Sequence, residues 1–378
     1  FYDKNKLKEF QLINMFSLVY KINWLFVFIL ILISSLGVAL LYSIAGGQWQ
    51  PWALNQIVRI SIGLILFFVA ASINIKVWYR SSYYIYFFCT FLIIITLLFS
   101  REISGASRWL NLYFFSIQPA EILKIFVILS LAKYFHSIKL QSFDIKQRIL
   151  FPFIILSFPV LLVFKQPDLG TALIIFFSGI ILFFLAGVKI KTFLVSGILG
   201  TMSFPVIWSF LKDYQKSRII NFLDQQTDIL GANYHITQSK IALGSGGFFG
   251  KGFLEGTQSH LNFIPEMQTD FIFSVLGEEF GFFGIFILFT IYAILILWAI
   301  KISLNSRNYF SKVFGISFAS SFFLSIFINV AMVTGLIPVV GVPLPLCSYG
   351  GSAMISYFIG FGILLSGYNF RDYKLESM

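Results

Sequence analysis

Asp270 stands in the segment SHLNFIPEMQTDFIF, where a polar stretch runs directly into a long apolar one. A carboxylate so close to hydrocarbon costs on the order of 3 kcal/mol or more unless a cavity or a partner receives it. Cations recur in the segments that share its side of the chain, among them Arg108, Lys124, Lys165 and Arg218. A lone acid beside several cations suits one kind of chemistry. The acid removes a proton from an alcohol, and the cations stabilise charge on a phosphate-bearing ligand.

The segments carrying these residues each have a structural and a functional reading. In GASRWLNLYFFSIQPAEILK (105–124) a turn is expected over Gly105–Leu110, and Pro119 suits the first turn of a helix. Glu121 and Lys124, three apart, share one helix face and can pair. They form either a structural ion pair, with Trp109 as an interface anchor, or a grip on phosphate in which Glu121 positions Lys124. Arg108 suits a planar two-point hold on phosphate oxygens. In KQPDLGT (165–171), Asp168 either caps the following helix or orders the site. GSGGFFGKG (244–252) lacks the GxxxxGK[ST] spacing of a nucleotide-binding loop and follows no strand, so a flexible hinge or close packing onto the membrane surface is expected there. His260, Glu266 and Asp270 raise a metal question without a zinc spacing; a loosely held divalent cation (Mg or Mn) bridging carboxylate and phosphate would suit hard oxygen ligands. No serine sits in a GxSxG turn. The Pro- and Gly-rich GLIPVVGVPLPLCSYGGSAM (335–354) is irregular at membrane depth, which requires it to be buried or to line a cavity. It is expected to wall the site, with direct chemistry from Ser348 or Ser352 the weaker reading.

The elements that must hold these residues are membrane helices. The chain has 378 residues, 58% hydrophobic and only 11% charged, and charge-free runs of about 17 to 25 residues recur along it. The class is an all-α polytopic membrane protein forming one domain over 1–378. Ten spans are expected, roughly 23–45, 53–73, 82–100, 118–137, 149–165, 170–188, 191–211, 270–299, 311–334 and 349–368. Alternate connections hold about seventeen Lys and Arg against about eight on the other side, which makes both termini cytoplasmic. Residues 1–22 form a cytoplasmic leader, 211–270 a long outer loop with helical spacing near Ile236–Leu243, and 369–378 a cytoplasmic tail. The leader precedes a first run of span length, so no cleavable signal peptide is expected. The net charge of +11 has no soluble basic domain to carry it, which argues against nucleic acid as a partner. Cys89 and Cys347 are read as free small apolar residues.

GASRWL (105–110), QPAEILK (118–124), QPDLGT (166–171), GTQSHLNFIPEMQTDFIFSVLGEEFG (256–281) and PLCSYGGS (345–352) together resemble the SEDS family (shape, elongation, division and sporulation). The blocks run in the family's order across nearly the whole chain. GTQS followed by the FIPE block is closer to the rod-shape branch than to the division branch. The resemblance implies a ten-helix peptidoglycan glycosyltransferase of the bacterial inner membrane, its site facing the periplasm. Such an enzyme polymerises lipid II into glycan strands beside a class B penicillin-binding protein. It implies Asp270 as the essential acid, with Arg108 and Trp109 in the functional outer loop. Glu266, Thr269, His260 and Ser348 would stand near the substrate. The family often has His before the Thr–Asp pair, where this chain has Gln268, so no proton-handling role falls there.

Under that reading Asp270 takes the proton of the acceptor sugar's 4-hydroxyl, which attacks the donor's anomeric carbon with inversion to give a β-1,4 link. A lipid pyrophosphate already leaves well, so one base with cations suffices where hydrolytic glycosidases usually need two carboxylates. Two other classes stay open. A flippase for lipid-linked precursors, needing charges through the middle of the bundle, is disfavoured because only Arg59, Glu121 and Lys124 are expected within spans. A scaffold would need no acid at depth.

Overall fold

The runs of span length fold as helices, and the residues that interrupt them set where each begins and ends. The computed structural model describes residues 23–99, 108–112, 115–138, 145–203, 205, 208, 209, 216, 220, 232–260, 266–371, 373 and 375. In chain order the helices are α1 (Trp24–Ile44), α2 (Ala53–Ser72), α3 (Ile75–Phe99), α4 (Pro119–Ile138), α5 (Ile145–Lys165), α6 (Leu169–Leu185), α7 (Ile190–Met202), α8 (Ala232–Ser245), α9 (Thr257–His260), α10 (Ile272–Leu304), α11 (Tyr309–Val333) and α12 (Gly351–Asn369). Six of them, α1, α2, α3, α10, α11 and α12, are long and apolar enough to cross a membrane, and α5, α6 and α7 supply shorter apolar stretches.

Each of the ten expected spans meets a helix, with shifted ends. α3 starts at Ile75 rather than 82, because its first two turns (IKVWYRS) are polar enough to escape a hydropathy window yet still helical. α6 stops at Leu185, where Gly187 turns the chain with φ +86. α10 runs on to Leu304. An exception to the all-helical expectation is a short antiparallel hairpin, β1 (Leu110–Leu112) with β2 (Phe115–Ile117), paired Leu110↔Ile117 and Leu112↔Phe115.

α4 is the central element. It carries Glu121, Lys124 and Lys133, and is buried on nearly every face. Charges that would be costly against lipid are tolerated because protein surrounds them. α2 packs along α12 closely enough that Gly362 meets the backbone of Phe67.

α10 is broken at Gly281 (φ 64, ψ −161). The break frees four backbone groups that a continuous helix would pair internally, and the glycine-rich segment takes all four. Lys251 N donates to Glu278 O (3.0 Å) and Gly252 N to Glu279 O (3.0 Å), while Phe282 N and Phe283 N donate to Gly247 O and Phe248 O (2.9 Å each). Backbones this close leave no room for side chains. A Cβ on Gly250 would stand 2.1 Å from Glu279 O. GSGGFFGKG therefore packs closely onto α10, where the sequence suggests a hinge or packing onto the membrane surface, and it keeps the broken helix satisfied.

Candidate active site

Asp270 is partly buried in the turn Glu266–Phe271, just ahead of α10. The turn closes on Glu266, whose carbonyl accepts from Thr269 N (3.1 Å) and Thr269 Oγ1 (3.2 Å), with backbone φ +54 at Glu266 itself. The segment 335–354 then holds it from outside. Tyr349 N donates to Gln268 O (2.8 Å), and Ser348 Oγ donates to Thr269 O (2.5 Å) while accepting from Leu344 N (2.8 Å). Ser348 is buried and its hydroxyl is engaged in both directions, which describes a clamp. Asn329 of α11, fully buried, donates to Asp270 O (2.8 Å) and to Val342 O (2.7 Å) through one amide nitrogen. A methyl group on Gly341 would lie 3.5 Å from Asp270 Oδ2.

A second cluster forms around Asp168. It caps α6 by accepting from Thr171 N (3.2 Å), and its other oxygen accepts from Gln118 Nε2 (2.5 Å). Burial pushes the Asp168 carboxyl above its ordinary range, Arg108 pulls it down, and Glu121 pushes it up again. Arg108 donates from Nε to Gln166 O (3.2 Å) and from its terminal nitrogen to Pro167 O. That fastens the 105–124 segment to the 165–171 hairpin. In α4, Lys124 pairs with Glu121 at 2.5 Å, both nearly inaccessible, and stands over the Tyr357 ring at 4.0 Å. Glu121 also accepts from Thr171 Oγ1 (3.4 Å).

The two clusters are one web. Lys124 meets Tyr357, whose hydroxyl donates to Ser325 Oγ (2.6 Å). Ser325 lies one turn from Asn329 on α11, and Asn329 holds the Asp270 carbonyl. Gly170, at the start of α6, approaches the 340–342 backbone so closely that a Cβ would stand 2.8 Å from Val340 O. Gln118 N donates to Ser352 Oγ (2.9 Å), tying α4 to α12. Asp270, Glu266, Thr269, Ser348, Arg108, Asp168, Glu121 and Lys124 thus share one end of the bundle. Trp109 follows Arg108 and is 37% exposed. Lys165 is exposed at the end of α5, one residue before the Arg108 contacts, and stands outside this web. Arg218 and the side chain of His260 lie outside the described residues.

Three residues of this region escaped the sequence. Asn329 sits in an ordinary apolar run. His235 of α8 has its ring 6.4 Å from that of Phe271, next to Asp270; burial holds the imidazole below its ordinary range and Glu266 opposes that. Arg59, counted only as a charge in a span, lies 3.9 Å over the Tyr349 ring. The expectation that only Arg59, Glu121 and Lys124 are charged within spans is also corrected. Glu278 and Glu279 lie inside α10 and Lys133 inside α4, all buried. Those carboxylates were legible in GEEFG, and their pairing partners, Lys251 and Ser43, were not.

A cell cycle protein family, FtsW/RodA/SpoVE, matches residues 16–372. The chain belongs to this family. The SEDS resemblance carried by the motif blocks is therefore confirmed. Peptidoglycan glycosyltransferase MrdB of Escherichia coli K12 is 40% identical over 341 residues, covering 88% of this chain and 90% of MrdB. Stage V sporulation protein E of Bacillus subtilis is 32% identical over 360 residues, 92% and 97% of the two chains. Among solved structures, a chain of a peptidoglycan synthase complex that coordinates polymerization and crosslinking superposes with a TM-score of 0.80 at 28% identity, covering 93% and 99%. The crystal structure of Thermus thermophilus rod shape determining protein RodA gives 0.71 at 26%, covering 93% and 98%. The fold is RodA-like.

Proposed function

We propose that the chain is a peptidoglycan glycosyltransferase that polymerises lipid II for cell-wall elongation, with Asp270 as its general base. The relatives named for that activity, at 40% identity over most of both chains, support the reaction class. The observation that carries the assignment to this site is the web joining Asp270 to Arg108 and Lys124 through Asn329, Ser325, Tyr357 and Asp168.

The chemistry follows from what each group can do. Asp270 accepts the proton of the acceptor's 4-hydroxyl as that oxygen attacks the donor's anomeric carbon; the bond from that carbon to the pyrophosphate oxygen breaks, and the lipid diphosphate leaves with the electron pair. Base action of this kind contributes about 10²- to 10⁴-fold. Arg108 has five N–H donors, of which its two contacts engage only part, so the rest can meet the leaving phosphate. Lys124 is too buried to reach bulk water, so it contributes through its field and by fixing Glu121. Trp109, Glu266, Thr269 and His235 line the approach for sugar, and Lys165, Arg218 and His260 are assigned to the substrate's outer reach. Asp168 and Ser348 hold the frame.

The wider setting belongs to the same proposal. Ten helices cross the bacterial inner membrane, both termini lie in the cytoplasm, and 211–270 is a large periplasmic connection. The protein works beside a class B penicillin-binding protein, in keeping with the synthase complex whose chain it resembles. Among the described residues no three His, Cys, Asp or Glu side chains converge. A divalent cation recruited here would be met by the carboxylates of Glu266 and Asp270 and would neutralise charge on the substrate phosphate.

The test is polymerisation of purified lipid II by the purified chain, alone and with a penicillin-binding partner. Glycan polymer of β-1,4 linkage supports the reading. Transbilayer movement of lipid II in vesicles without polymer would replace it with a flippase.

A further inference from the structure

Arg59 takes no part in the reaction as described. It falls on the stripe of α2 that packs against α12, one turn from Gln56 and one turn from Gly63, where a Cβ would strike the Phe358 ring. Both of those neighbours are buried and Arg59 is half-buried, so the packing opens at its position. Its guanidinium carbon lies 3.9 Å over the Tyr349 ring. Gly351 makes room for it, since a Cβ there would stand 3.1 Å from Arg59 Nε. Among the described residues Arg59 makes no hydrogen bond and meets no carboxylate. A cation within a span is costly unless something receives it, and a ring face engages none of its five N–H donors.

The contacts around Arg59 lead directly to the acid. Gln56 Nε2 donates to Ser348 O (2.9 Å), and Ser348 Oγ holds Thr269 O. Tyr349, beneath Arg59, donates its backbone N–H to Gln268 O (2.8 Å). Asp270 follows in the same turn. Away from α12, α2 presents Leu54, Ile57, Val58 and Ile62 outward, an apolar flank that suits a polyprenyl tail. Glycosyl transfer joins two lipid-linked sugars, so two diphosphates must be held: the donor's, which leaves, and the acceptor's, which stays attached. Arg108 meets the leaving one, and Lys124 is taken up by Glu121. We propose that Arg59 binds the diphosphate of the acceptor lipid at the rim between α2 and α12. The identity of the ligand rests on the glycosyltransferase reading, and the site on the unmet donors of Arg59 beside the turn that carries Asp270. The acceptor's diphosphate gains no charge as the new bond forms, so a grip on it acts on KM and leaves kcat alone.

Two readouts test the site. In lipid II polymerisation, Arg59→Gln raises KM about tenfold or more with kcat within about twofold, the loss expected for charge-assisted hydrogen bonds to phosphate. Arg59→Lys keeps the charge and loses the planar fork, so its KM falls between the two. Lys301→Ala removes an exposed cation in the last turn of α10 and leaves both constants unchanged. The second readout needs no turnover. Native mass spectrometry of the full-length chain from phosphatidylcholine nanodiscs, with undecaprenyl diphosphate as probe, shows two bound in wild type and one in Arg59→Gln. Excess phosphatidylglycerol does not displace the second. A wild-type KM in Arg59→Gln overturns the proposal, as does a lowered kcat at unchanged KM or equal occupancy in the two spectra. Displacement by phosphatidylglycerol also overturns it, because the cation would then serve ordinary anionic lipid. A wild-type chain that makes no polymer while Arg59 still governs the second bound diphosphate would remove the glycosyltransferase reading and leave the site standing.

Discussion

Asn329→Leu is the most informative substitution outside the acid itself. It keeps the size of a fully buried side chain and removes both donated hydrogen bonds, to Asp270 O at 2.8 Å and to Val342 O at 2.7 Å. Losing a donated hydrogen bond to a carbonyl in a buried setting costs about 1–3 kcal/mol, so the pair costs about 2–4 kcal/mol once relaxation is allowed for. The loss is local: it loosens the turn carrying Asp270 from the 340–342 segment that walls it. If half of that energy reappears as misplacement of Asp270, the rate falls about tenfold, since 1.4 kcal/mol is a factor of ten. Asn329→Asp should be worse, because a carboxylate would face two carbonyl oxygens and donate to neither. The assay is initial polymerisation rate at saturating lipid II, paired with thermal unfolding in the same detergent. The expected order is wild type, then Leu, then Asp, in both readouts. A Leu variant with the wild-type rate and midpoint would refute the claim that this amide holds the site together.

Three further outcomes follow from the same contacts. Lys124→Met strands Glu121 in the bundle and should destabilise by about 3–5 kcal/mol, measured by thermal unfolding, while Lys124→Met with Glu121→Gln should recover much of that. Gly281→Ala combines a positive φ with a Cβ 2.3 Å from Gly250 N, so it should cost about 3 kcal/mol or more and leave the 246–252 segment open to proteolysis. Asp168→Asn keeps the cap of α6, since Asn caps a helix as well as Asp, and should unfold within about 1 kcal/mol of wild type once Gln118 turns its amide oxygen to the new NH2 group; Asp168→Ala removes both the cap and the buried acceptor of Gln118 Nε2 and should lose about 2–3 kcal/mol in the same measurement.

What the sequence could reveal was local. Hydropathy located the long helices, Pro119 and Asp168 marked two helix starts, and i,i+3 spacing paired Glu121 with Lys124. Each of those signals lies within a turn or two of chain. The missed features join residues far apart. Asn329 meets Asp270 across 59 positions, and Ser43 meets Glu279 across 236. No periodicity announces such a pair, and a polar residue in an apolar run reads as tolerated until its partner is known. The glycine-rich segment shows the same limit. Its composition suggests a hinge or packing onto the membrane surface, and only the break at Gly281 shows that it supplies another element's backbone hydrogen bonds. Glu278 and Glu279 are the exception, because GEEFG lies inside an apolar run and their place within a span is readable from the chain itself.

The most direct test of the account is single-turnover lipid II polymerisation by purified Asp270→Asn, with its fold checked by thermal unfolding and its binding of lipid II measured separately. The account predicts a rate lowered about 10²-fold or more with folding and binding retained. Polymer formed at the wild-type rate by a folded Asp270→Asn protein would contradict it.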